Sequence, residues 1–398
     1  MTLIELFDWE HMENVIACLR LQPEVAFFLG DEEQMNPFLK RYRSLLKHKG
    51  IRTEIRAKDV DLNQMESITK VLAGIFDTHE DCVIDITGGD ERLVMATGAA
   101  LAQLSPQQKD QISVQRYIMP DGEAVDYDGD GEVLAGKQVS LTAAELIALY
   151  GGTIYPSTMQ PDASYTPADV DFLWQVLKED PRIWNKRISY LRELEKPFDE
   201  ERTEFYIRRD IPTFQTKWPL LEPFLKKLLK KKIIVPTAKE EELRYRYTDK
   251  LLQHCLQKEG NLLEIKTLLE ARAIREKGRP YFDDCKVSVN IDWDGKVSDN
   301  PWQYSGTHNE IDVILTRGMK AVFISCKNGD VGDGEMYKLR SVAEEFGSAY
   351  AKKMLIVAKL GNEESMEKRA EDMGIELVKN AVDIHKDGWE YIFKKVMK

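Results

Sequence analysis

Cysteine is scarce in this sequence, and long apolar runs and internal repeats are missing. The 398 residues include five cysteines, scattered and without any Cys-x-x-Cys spacing. That pattern argues against a zinc site and against a disulfide framework. No apolar run approaches the ~18 residues that a membrane-spanning helix needs. The first residues are acidic where a secretory signal would be basic, so we expect a cytoplasmic protein without a membrane partner.

Negative charge is concentrated in the first part of the chain. The sequence carries 56 Lys and Arg against 68 Asp and Glu, a formal net charge of −12. Residues 1–150 account for all of it, because residues 151–398 contain equal numbers of basic and acidic side chains. A polyanionic substrate is therefore more plausible on the later part. Hydrophobic residues at 43% and charged residues at 31% are typical of a globular chain of two or three domains.

Residues 1–150 alternate between strand-like and helix-like segments. The strand-like segments are short apolar runs at 2–7, 25–30, 51–57, 82–87 and 113–119. Helix-like segments of 10–15 residues separate most of them. This alternation predicts an α/β fold with a parallel, Rossmann-like sheet covered by helices on both faces.

The rest of the chain follows two other patterns. Segment 151–168 is rich in Gly, Pro, Ser and Thr and indicates a linker. Residues 169–232 are helical in pattern, and 233–236 with 243–248 predict a small hairpin, which together suggest a winged-helix-like module. From about residue 250, a helix, three strands and an alternating helix and strand tail predict a three-layer α/β domain.

A strand-to-helix junction is the first candidate ligand site. Thr87, Gly88 and Gly89 lie between a buried strand and a helix whose first turn holds Arg92. Glycines allow backbone N–H groups to face a ligand, and the helix start adds a positive dipole end, which suits phosphate or ribose oxygens. The spacing is neither Gly-x-Gly-x-x-Gly nor a P-loop. The same residues are also typical of a tight turn with a helix N-cap, and both interpretations stay open here.

The loop after the first strand reaches the same edge of the predicted sheet. It contains Asp8, Trp9 and His11. The two rings could stack on a base or bond to it. A surface histidine near a helix start is also common without any function.

Two consecutive strands carry the strongest candidate for chemistry. Alternation along strand 310–316 predicts Glu310 and Asp312 on one face, with Ile311 and Val313 on the other. A turn at 316–318 would lay the next strand beside it. That strand ends in Ser-Cys-Lys, and its alternation brings a lysine to the edge that holds the carboxylates.

A nuclease is one interpretation of this group. Ser325 and Lys327 share a face of the second strand, and Glu264, at the start of an upstream helix, supplies a further carboxylate. Phosphodiester hydrolysis uses a divalent metal on carboxylates and a cation near the developing charge. Acids and lysines are also common at solvated strand ends, so the residues alone leave both interpretations open.

The sequence resembles a known family at these motifs. The stretches NEIDV (309–313) and FISCKNG (323–329), preceded by GNLLE (260–264), resemble a PD-(D/E)xK nuclease domain. The closest resemblance is to the version fused to an N-terminal CARF domain in type III CRISPR defence. The turn at 87–89 is similar to that of CARF sensor domains, which bind cyclic oligoadenylates.

The resemblance implies roles for the C-terminal residues. Glu264 and Asp312 would be ligands of Mn²⁺ or Mg²⁺, and Lys327 would be the catalytic lysine, with Glu310 and Ser325 beside them. The sequence departs from the family at Ser325, where a Glu or Asp usually stands, which puts the number of bound metals in doubt. The groups that would compensate are Glu310, Asp292, Asp294 and the backbone carbonyl of Cys326.

The resemblance also implies a ligand site, a partner and a domain plan. The activator would be cyclic tetra-adenylate, bound across a homodimer whose symmetry matches its own. The implied domains are a CARF sensor at 1–155, a connecting module at 165–250 and a nuclease at 251–398. The residues assigned to the ligand are Asp8, Trp9, His11, Thr87, Gly88, Gly89 and Arg92.

The expected function is that of a cyclic-oligoadenylate-activated, metal-dependent nuclease of type III CRISPR antiviral defence, cutting single-stranded RNA or DNA. The basic run 226–232 and the segment 245–247 are candidate nucleic-acid contacts, although a solvated helix face and a wing-like strand explain them equally well. One alternative is a ligand-responsive, DNA-binding transcription regulator with an inactive nuclease-like domain, which Ser325 favours. Another is a nuclease that nicks or cuts duplex DNA.

Overall fold

Three sheets of four or more strands organise the described part of the chain. The computed structural model describes residues 1–127, 129, 131–134, 137–155, 160–238, 243–295, 308–329, 331–359 and 363–398. The sheets have seven, four and six strands, and a two-stranded hairpin accompanies them. The predicted α/β class is confirmed. No helix in the described residues is long and apolar enough to span a bilayer.

The first sheet is built by alternating strands and helices. In chain order its region contains β1 (Thr2–Leu6), α1 (His11–Leu21), β2 (Val25–Gly30), α2 (Glu32–His48), β3 (Glu54–Asp59), α3 (Met65–Phe76), β4 (Cys82–Asp85), α4 (Glu91–Ala102), α5 (Pro106–Lys109), β5 (Ile112–Ile118), β6 (Glu123–Asp126), β7 (Val133–Leu134) and α6 (Ala143–Leu149). Helix α1 was not predicted, because most of its residues are buried and it lacks an amphipathic period.

The strand order of this first sheet locates a crevice. The order is β3-β2-β1-β4-β5-β6-β7, parallel as far as β5 and antiparallel beyond it. The chain progresses to one side from β1 through β2 to β3, and then to the other side from β4 to β5. Ligands of such sheets bind beyond the carboxyl ends of the two strands at this reversal, here β1 and β4.

The middle of the chain combines helices with a small antiparallel sheet. Its elements are β8 (Thr153–Ile154), α7 (Asp171–Glu179), α8 (Pro181–Leu194), β9 (Glu195–Pro197), β10 (Phe205–Ile207), α9 (Phe214–Lys230), β11 (Ile234–Pro236), β12 (Arg244–Tyr247) and α10 (Lys250–Cys255). The predicted hairpin is confirmed as β11 and β12, in a sheet of order β11-β12-β10-β9. Strand β8, within the predicted linker, instead pairs with the last sheet.

The last sheet carries the predicted nuclease motifs. Its region contains α11 (Asn261–Ala273), β13 (Arg275–Glu276), β14 (Arg279–Pro280), β15 (Asp284–Asp292), β16 (His308–Arg317), β17 (Lys320–Lys327), α12 (Asp333–Gly347), β18 (Lys352–Val357), α13 (Glu363–Asp372), β19 (Ile375–Val378) and α14 (Lys386–Val396). The strand order is β19-β18-β17-β16-β15-β8, with a β15–β16–β17 meander and parallel β17–β18–β19 pairs.

Both faces of the last sheet are buried, against different partners. One face packs on α11, α14 and the middle helices, with Val313 and Ile324 in that core. The other packs against the first domain, where Phe323 shares a core with Val15 and Phe28. The first and last sheets therefore share a continuous hydrophobic core.

Candidate functional site

The two predicted ligand loops meet at the crevice of the first sheet. The Gly89 N–H donates a hydrogen bond of 3.1 Å to Asp8 Oδ2, joining the loop after β4 to the loop after β1. The Asp8 N–H in turn donates to Asn14 Oδ1 at 2.9 Å. Residues that are 81 positions apart in the chain thus form one surface, at the reversal of strand order where a ligand is expected.

Glycine is required at both positions of the turn. A Cβ on Gly88 would lie 2.9 Å from Glu13 Oε2 and 3.0 Å from Asp8 Cβ. Gly89 has a φ of +101°, and its Cβ would lie 2.6 Å from the Leu6 Cβ. The glycines therefore allow the turn to approach β1 and the start of α1 closely.

Thr87 holds the turn from beneath. Its N–H donates to Asp85 Oδ1 at 2.8 Å and its hydroxyl donates to the same oxygen. The hydroxyl also accepts a bond of 2.8 Å from the Tyr117 N–H. The Thr87 hydroxyl is therefore engaged within the fold both as a donor and as an acceptor. Its side chain positions the ligand loop, and the predicted ligand contact would come from the backbone of the neighbouring residues.

A buried pair of carboxyl groups supports Thr87. Asp85 and Glu5 are each 2% exposed on adjacent strands, and their outer oxygens have no other hydrogen-bond donor. Burial raises the pKa of Glu5 well above its usual range, with the Asp85 charge adding to the effect. Burial also raises the pKa of Asp85 to about 7, although the hydrogen bonds from Thr87 oppose the shift. Burial of the two neighbouring carboxyl groups therefore favours their protonated forms.

Of the predicted ring contacts, Trp9 is accessible and His11 is not. Trp9 is 64% exposed and rests edge-on against Phe7 and Phe38. His11 is buried, and its Nδ1 is hydrogen-bonded to the Tyr42 hydroxyl at 2.9 Å. Burial, helped by a nearby arginine, lowers the pKa of His11 to about 4, so the ring is neutral. The prediction that His11 contacts a base is corrected: it is a core residue beneath the loop.

Arg92 is exposed but already paired. Its guanidinium donates two bonds of 2.7 Å to Asp90, the N-cap of α4, and one of 3.1 Å to Asn63. A ligand phosphate would have to compete with Asp90 for this cation. The side chain therefore remains a candidate only at the rim of the crevice.

Two tyrosines connect the crevice to the last sheet. The Tyr150 hydroxyl donates to Glu10 and the Tyr350 hydroxyl donates to Glu13. Burial raises the pKa of Glu13, although the bond from Tyr350 opposes the shift. Tyr350 lies in a 3₁₀ turn, Ser348–Tyr350, directly after α12. The sequence did not reveal these contacts, because the partners are 140 and 337 residues apart.

The predicted carboxylates of the last sheet converge near the middle of that sheet. Asp312 Oδ2 accepts bonds from the Cys326 N–H at 2.6 Å and from the Ser325 hydroxyl at 3.2 Å. Glu264, in the first turn of α11, accepts a bond of 3.3 Å from the Ser288 hydroxyl. Neighbouring strands thus hold both carboxylates in place.

These carboxylates repel each other. Burial raises the pKa of Glu264 to about 8, and the charges of Asp312 and Glu310 add to the effect. Burial likewise raises the pKa of Asp312, opposed by the Cys326 N–H and by Lys327. A divalent cation would relieve this repulsion, and an oxygen donor set is the kind that Mg²⁺ and Mn²⁺ prefer.

Lys327 is a charged ammonium group beside this pair. Its Nζ lies 2.8 Å from Glu335 Oε2, on α12. Burial alone would lower the pKa of Lys327, but the bond to Glu335 and the charge of Asp312 outweigh it and raise the pKa. The side chain therefore acts as a cation rather than as a base in this arrangement.

The simple alternation predicted for strand 310–316 is wrong. Ile311 belongs to the core shared with the first domain, whereas Val313 belongs to the core on the other side of the sheet. The facing strand is irregular at the same level: Ser288 has a φ of +50° between the pairs Val287–Val313 and Val289–Ile311. Such a backbone conformation is strained for a residue other than glycine. This conformation of Ser288 places its hydroxyl within hydrogen-bond distance of Glu264.

A small cavity marks the centre of the site. Its volume is about 20 Å³, enough for one water-sized species. Within the described residues, no three carboxylate, imidazole or thiolate groups already converge as they do around a bound metal. The lining residues are Glu310, Ile311, Asp312, Ser325, Lys327, Glu335, Lys338 and Leu339.

Two of the groups predicted to compensate for Ser325 lie elsewhere. Asp292 is four residues along β15 from Ser288, which corresponds to about 13 Å. Asp292 and Asp294 instead act on Tyr155. Burial raises the pKa of Tyr155, and the charges of these two aspartates add to the effect. Cys326 contributes its N–H to Asp312, and its buried thiol lies 3.7 Å from the Thr267 hydroxyl.

The candidate nucleic-acid contacts of the middle module are largely engaged in the fold. Lys226 pairs with Glu222 and Lys227 with Glu179. The hydroxyls of Tyr245 and Tyr247 both donate to the half-buried Glu195. The lysines therefore lie on a solvated helix face, and the tyrosines are anchored by a carboxylate rather than presented for stacking.

Two solved structures share this fold over the whole chain. Protein VC1899 from Vibrio cholerae matches 100% of this chain and 98% of its own, with a TM-score of 0.72 and 15% identity. Can2 from Sulfobacillus thermosulfidooxidans, solved in complex with cyclic tetra-adenylate, matches 100% of this chain and 97% of its own, with a TM-score of 0.66 and 15% identity. No protein-family model and no curated protein sequence matches this chain.

Proposed function

We propose that this protein is a metal-dependent nuclease that a cyclic oligoadenylate activates. The observation that carries the proposal is the grouping of Asp312 and Lys327 around one small cavity, with Glu264 close enough to Asp312 for their charges to interact. The substrate we assign is single-stranded RNA or DNA, and the setting is type III CRISPR defence. Cyclic tetra-adenylate is the activator that the likeness to Can2 supports.

The chemistry follows from what each side chain can do. Glu264 and Asp312 would hold a divalent cation, which would supply Lewis-acid activation of the scissile phosphate and of water. Ser288 holds Glu264, and the Cys326 N–H holds Asp312, so both carboxylates are oriented before substrate arrives. The charged ammonium of Lys327 stabilises the negative charge that develops on the phosphate oxygens.

Ligand binding would take place at the crevice of the first sheet. The exposed ring of Trp9 offers a stacking surface, and the turn at Gly88 and Gly89 brings backbone without side chains to the crevice. The assembly is a homodimer, because a cyclic tetra-adenylate with two-fold symmetry can lie across two copies of the crevice. The contacts of Glu10 with Tyr150 and of Glu13 with Tyr350 connect that ligand to the last sheet.

Cleavage of labelled single-stranded RNA and DNA tests the proposal. The full chain is assayed with Mn²⁺ or with EDTA, and with or without cyclic tetra-adenylate. We expect cleavage only with both additions, and a fall of at least ~100-fold in Lys327→Ala, the magnitude typical of losing one charge-stabilising group. Lys368→Ala, on the exposed face of α13, is the matched control and should cleave normally.

Other outcomes would redirect the assignment. Cleavage that does not respond to the cyclic nucleotide would remove the sensor and keep the nuclease. Preferential nicking of duplex DNA would change the substrate. Sequence-specific duplex binding without any cleavage would favour the transcription regulator, a candidate that Ser325 in place of an acidic residue supports.

A further inference from the structure

The strand that carries Lys327 lacks a carboxylate at Ser325, and a helix supplies one in the same cavity. Ser325 is 7% exposed and its hydroxyl donates to Asp312, so it offers no charge to a cation. Glu335, on α12, lines the cavity together with Ser325 and Lys327. What a cation requires is a carboxylate at the right point in space, whichever element carries it.

We propose that Glu335 is the third metal-binding carboxylate of this site, in the place that Ser325 leaves without one. The inference rests on the proposed nuclease function. Glu335 reaches the cavity from α12, whereas Glu310 and Asp312 reach it from β16. Glu264, on α11, does not line the cavity but is close enough for its charge to interact with those of Asp312 and Glu310, so carboxylates from three elements surround this point.

The charge of the site agrees with this role. Four carboxyl groups stand against the two ammonium groups of Lys327 and Lys338, so the fully ionised site has a formal charge of −2. A single divalent cation neutralises that charge. The carboxyl groups are those of Glu264, Glu310, Asp312 and Glu335.

In the structure Glu335 is paired with Lys327 at 2.8 Å. A cation bound by Glu335 would replace the ammonium group as its partner, and the ammonium group would then be free to meet the substrate phosphate. Glu335 also lies on the helix that leads to Tyr350 and Glu13. A shift of α12 on ligand binding would therefore act on the metal site through this residue.

Calorimetric titration of the full chain with Mn²⁺, without nucleic acid, tests the assignment. We expect Glu335→Gln to weaken Mn²⁺ binding by at least ~10-fold. Glu345→Gln, an exposed position of the same helix, is the control and should bind as the wild type does. Circular dichroism and the melting temperature verify that each variant is folded.

Two further variants separate a ligand from an electrostatic neighbour. In a Lys327→Met background, Glu335→Gln should still weaken Mn²⁺ binding, whereas the loss would vanish if Glu335 served only to neutralise Lys327. Adding Ser325→Glu to Glu335→Gln should restore binding to within a few-fold of wild type. A loss that vanishes without Lys327, or a failure of this restoration in a folded protein, would overturn the inference.

The titration also separates this inference from the proposed function. If Asp312→Asn loses Mn²⁺ binding while Glu335→Gln does not, the metal-dependent nuclease stands and the role of Glu335 is refuted. If the wild-type chain binds no Mn²⁺, the metal-dependent function itself fails, and the inference fails with it.

Discussion

The crevice of the first sheet and the cavity of the last sheet differ in how far folding pairs their charged groups. At the surface of the crevice, Asp8 is bonded to Gly89 and Asp90 to Arg92, and the repelling pair of Glu5 and Asp85 lies beneath that surface. In the cavity, buried carboxylates repel one another. The first region is thus suited to a ligand recognised by backbone and rings, and the second to a cation.

The difference teaches how one chain can separate sensing from chemistry. A preformed turn loses little conformational freedom when a ligand binds, which favours affinity. A site whose carboxylates repel one another is complete only when its metal ion is bound, which favours control of its activity. The shared core and the two tyrosine contacts join the regions, so the control can be exerted from the crevice.

Gly89→Ala is the change with the largest expected effect. It should disrupt the ligand turn of the crevice and leave the cavity of the last sheet intact. The added Cβ would lie 2.6 Å from the Leu6 Cβ at a φ of +101°. We expect cyclic tetra-adenylate affinity, measured by calorimetry, to fall by ~100-fold or more, because the turn is displaced. Gly98→Ala, with open space around its Cβ, is the control and should bind normally. Parallel loss of Mn²⁺ binding would show that the change is not confined to the crevice.

Trp9→Ala tests whether the crevice binds its ligand through an exposed aromatic ring. Loss of base stacking corresponds to about 1–3 kcal/mol, or ~5–150-fold in affinity. Trp9→Phe keeps an aromatic surface and should retain most of the binding. An unchanged affinity of Trp9→Ala would show that this 64% exposed ring does not meet the ligand.

Tyr350→Phe tests the connection between the regions. Removing the hydroxyl that bonds to Glu13 should leave ligand affinity within a few-fold of wild type. The ratio of cleavage rates with and without cyclic tetra-adenylate should fall by ~3–30-fold, the usual range of coupling energies. Tyr391→Phe, at an exposed position of α14, serves as the control. An unaltered activation ratio would mean that coupling runs by another route.

Asp85→Asn has the smallest expected effect, on stability alone. Because the pKa of Asp85 is raised to about 7 in the fold, the folded state holds the proton more tightly than the unfolded state. The free energy of unfolding of the wild type should therefore decrease as pH rises from about 4 to about 7. Asn can still accept the bonds from Thr87 and carries no charge, so the variant should lose the part of this dependence that Asp85 contributes.

Thermal melts at several pH values measure this difference. The variant should match the wild type near pH 4 and exceed its stability at pH 8, by about 1–3 kcal/mol. Equal pH dependence of the two proteins would show that Asp85 and Glu5 do not hold an extra proton. Glu5→Gln should give the same trend, since the pair is adjacent across β1 and β4.

Local patterns allowed much of the fold to be predicted. Helix α3 is one of the helix-like segments predicted between the strands, because its apolar residues follow a clear helical period, and Leu72 and Ile75 are buried on one side. Helix α1 escaped prediction because it is buried nearly all round. Strand β8 escaped because two residues in a Gly- and Pro-rich segment give no period at all.

The site was predicted in part, for a similar reason. Glu264, Asp312 and Lys327 stand in motifs, and the structure brings Glu264 and Lys327 close enough to Asp312 for their charges to interact; their catalytic roles stay predictions. The sequence around Glu335 gave no indication of a role in the site, because acidic residues are common in the first turns of helices. The alternation assumed for β16 failed because it presumes a regular facing strand, and Ser288 interrupts that strand.

The sequence by itself determined the alternation of strands and helices, the glycines of the turn and the types of reactive side chain. These depend on neighbours in the chain, through periodicity, backbone freedom and chemistry. Only the tertiary structure decided that Asp8 meets Gly89, that His11 is buried and that Glu335 meets Lys327. Such contacts depend on strand order and on the packing of distant elements, which no local pattern contains.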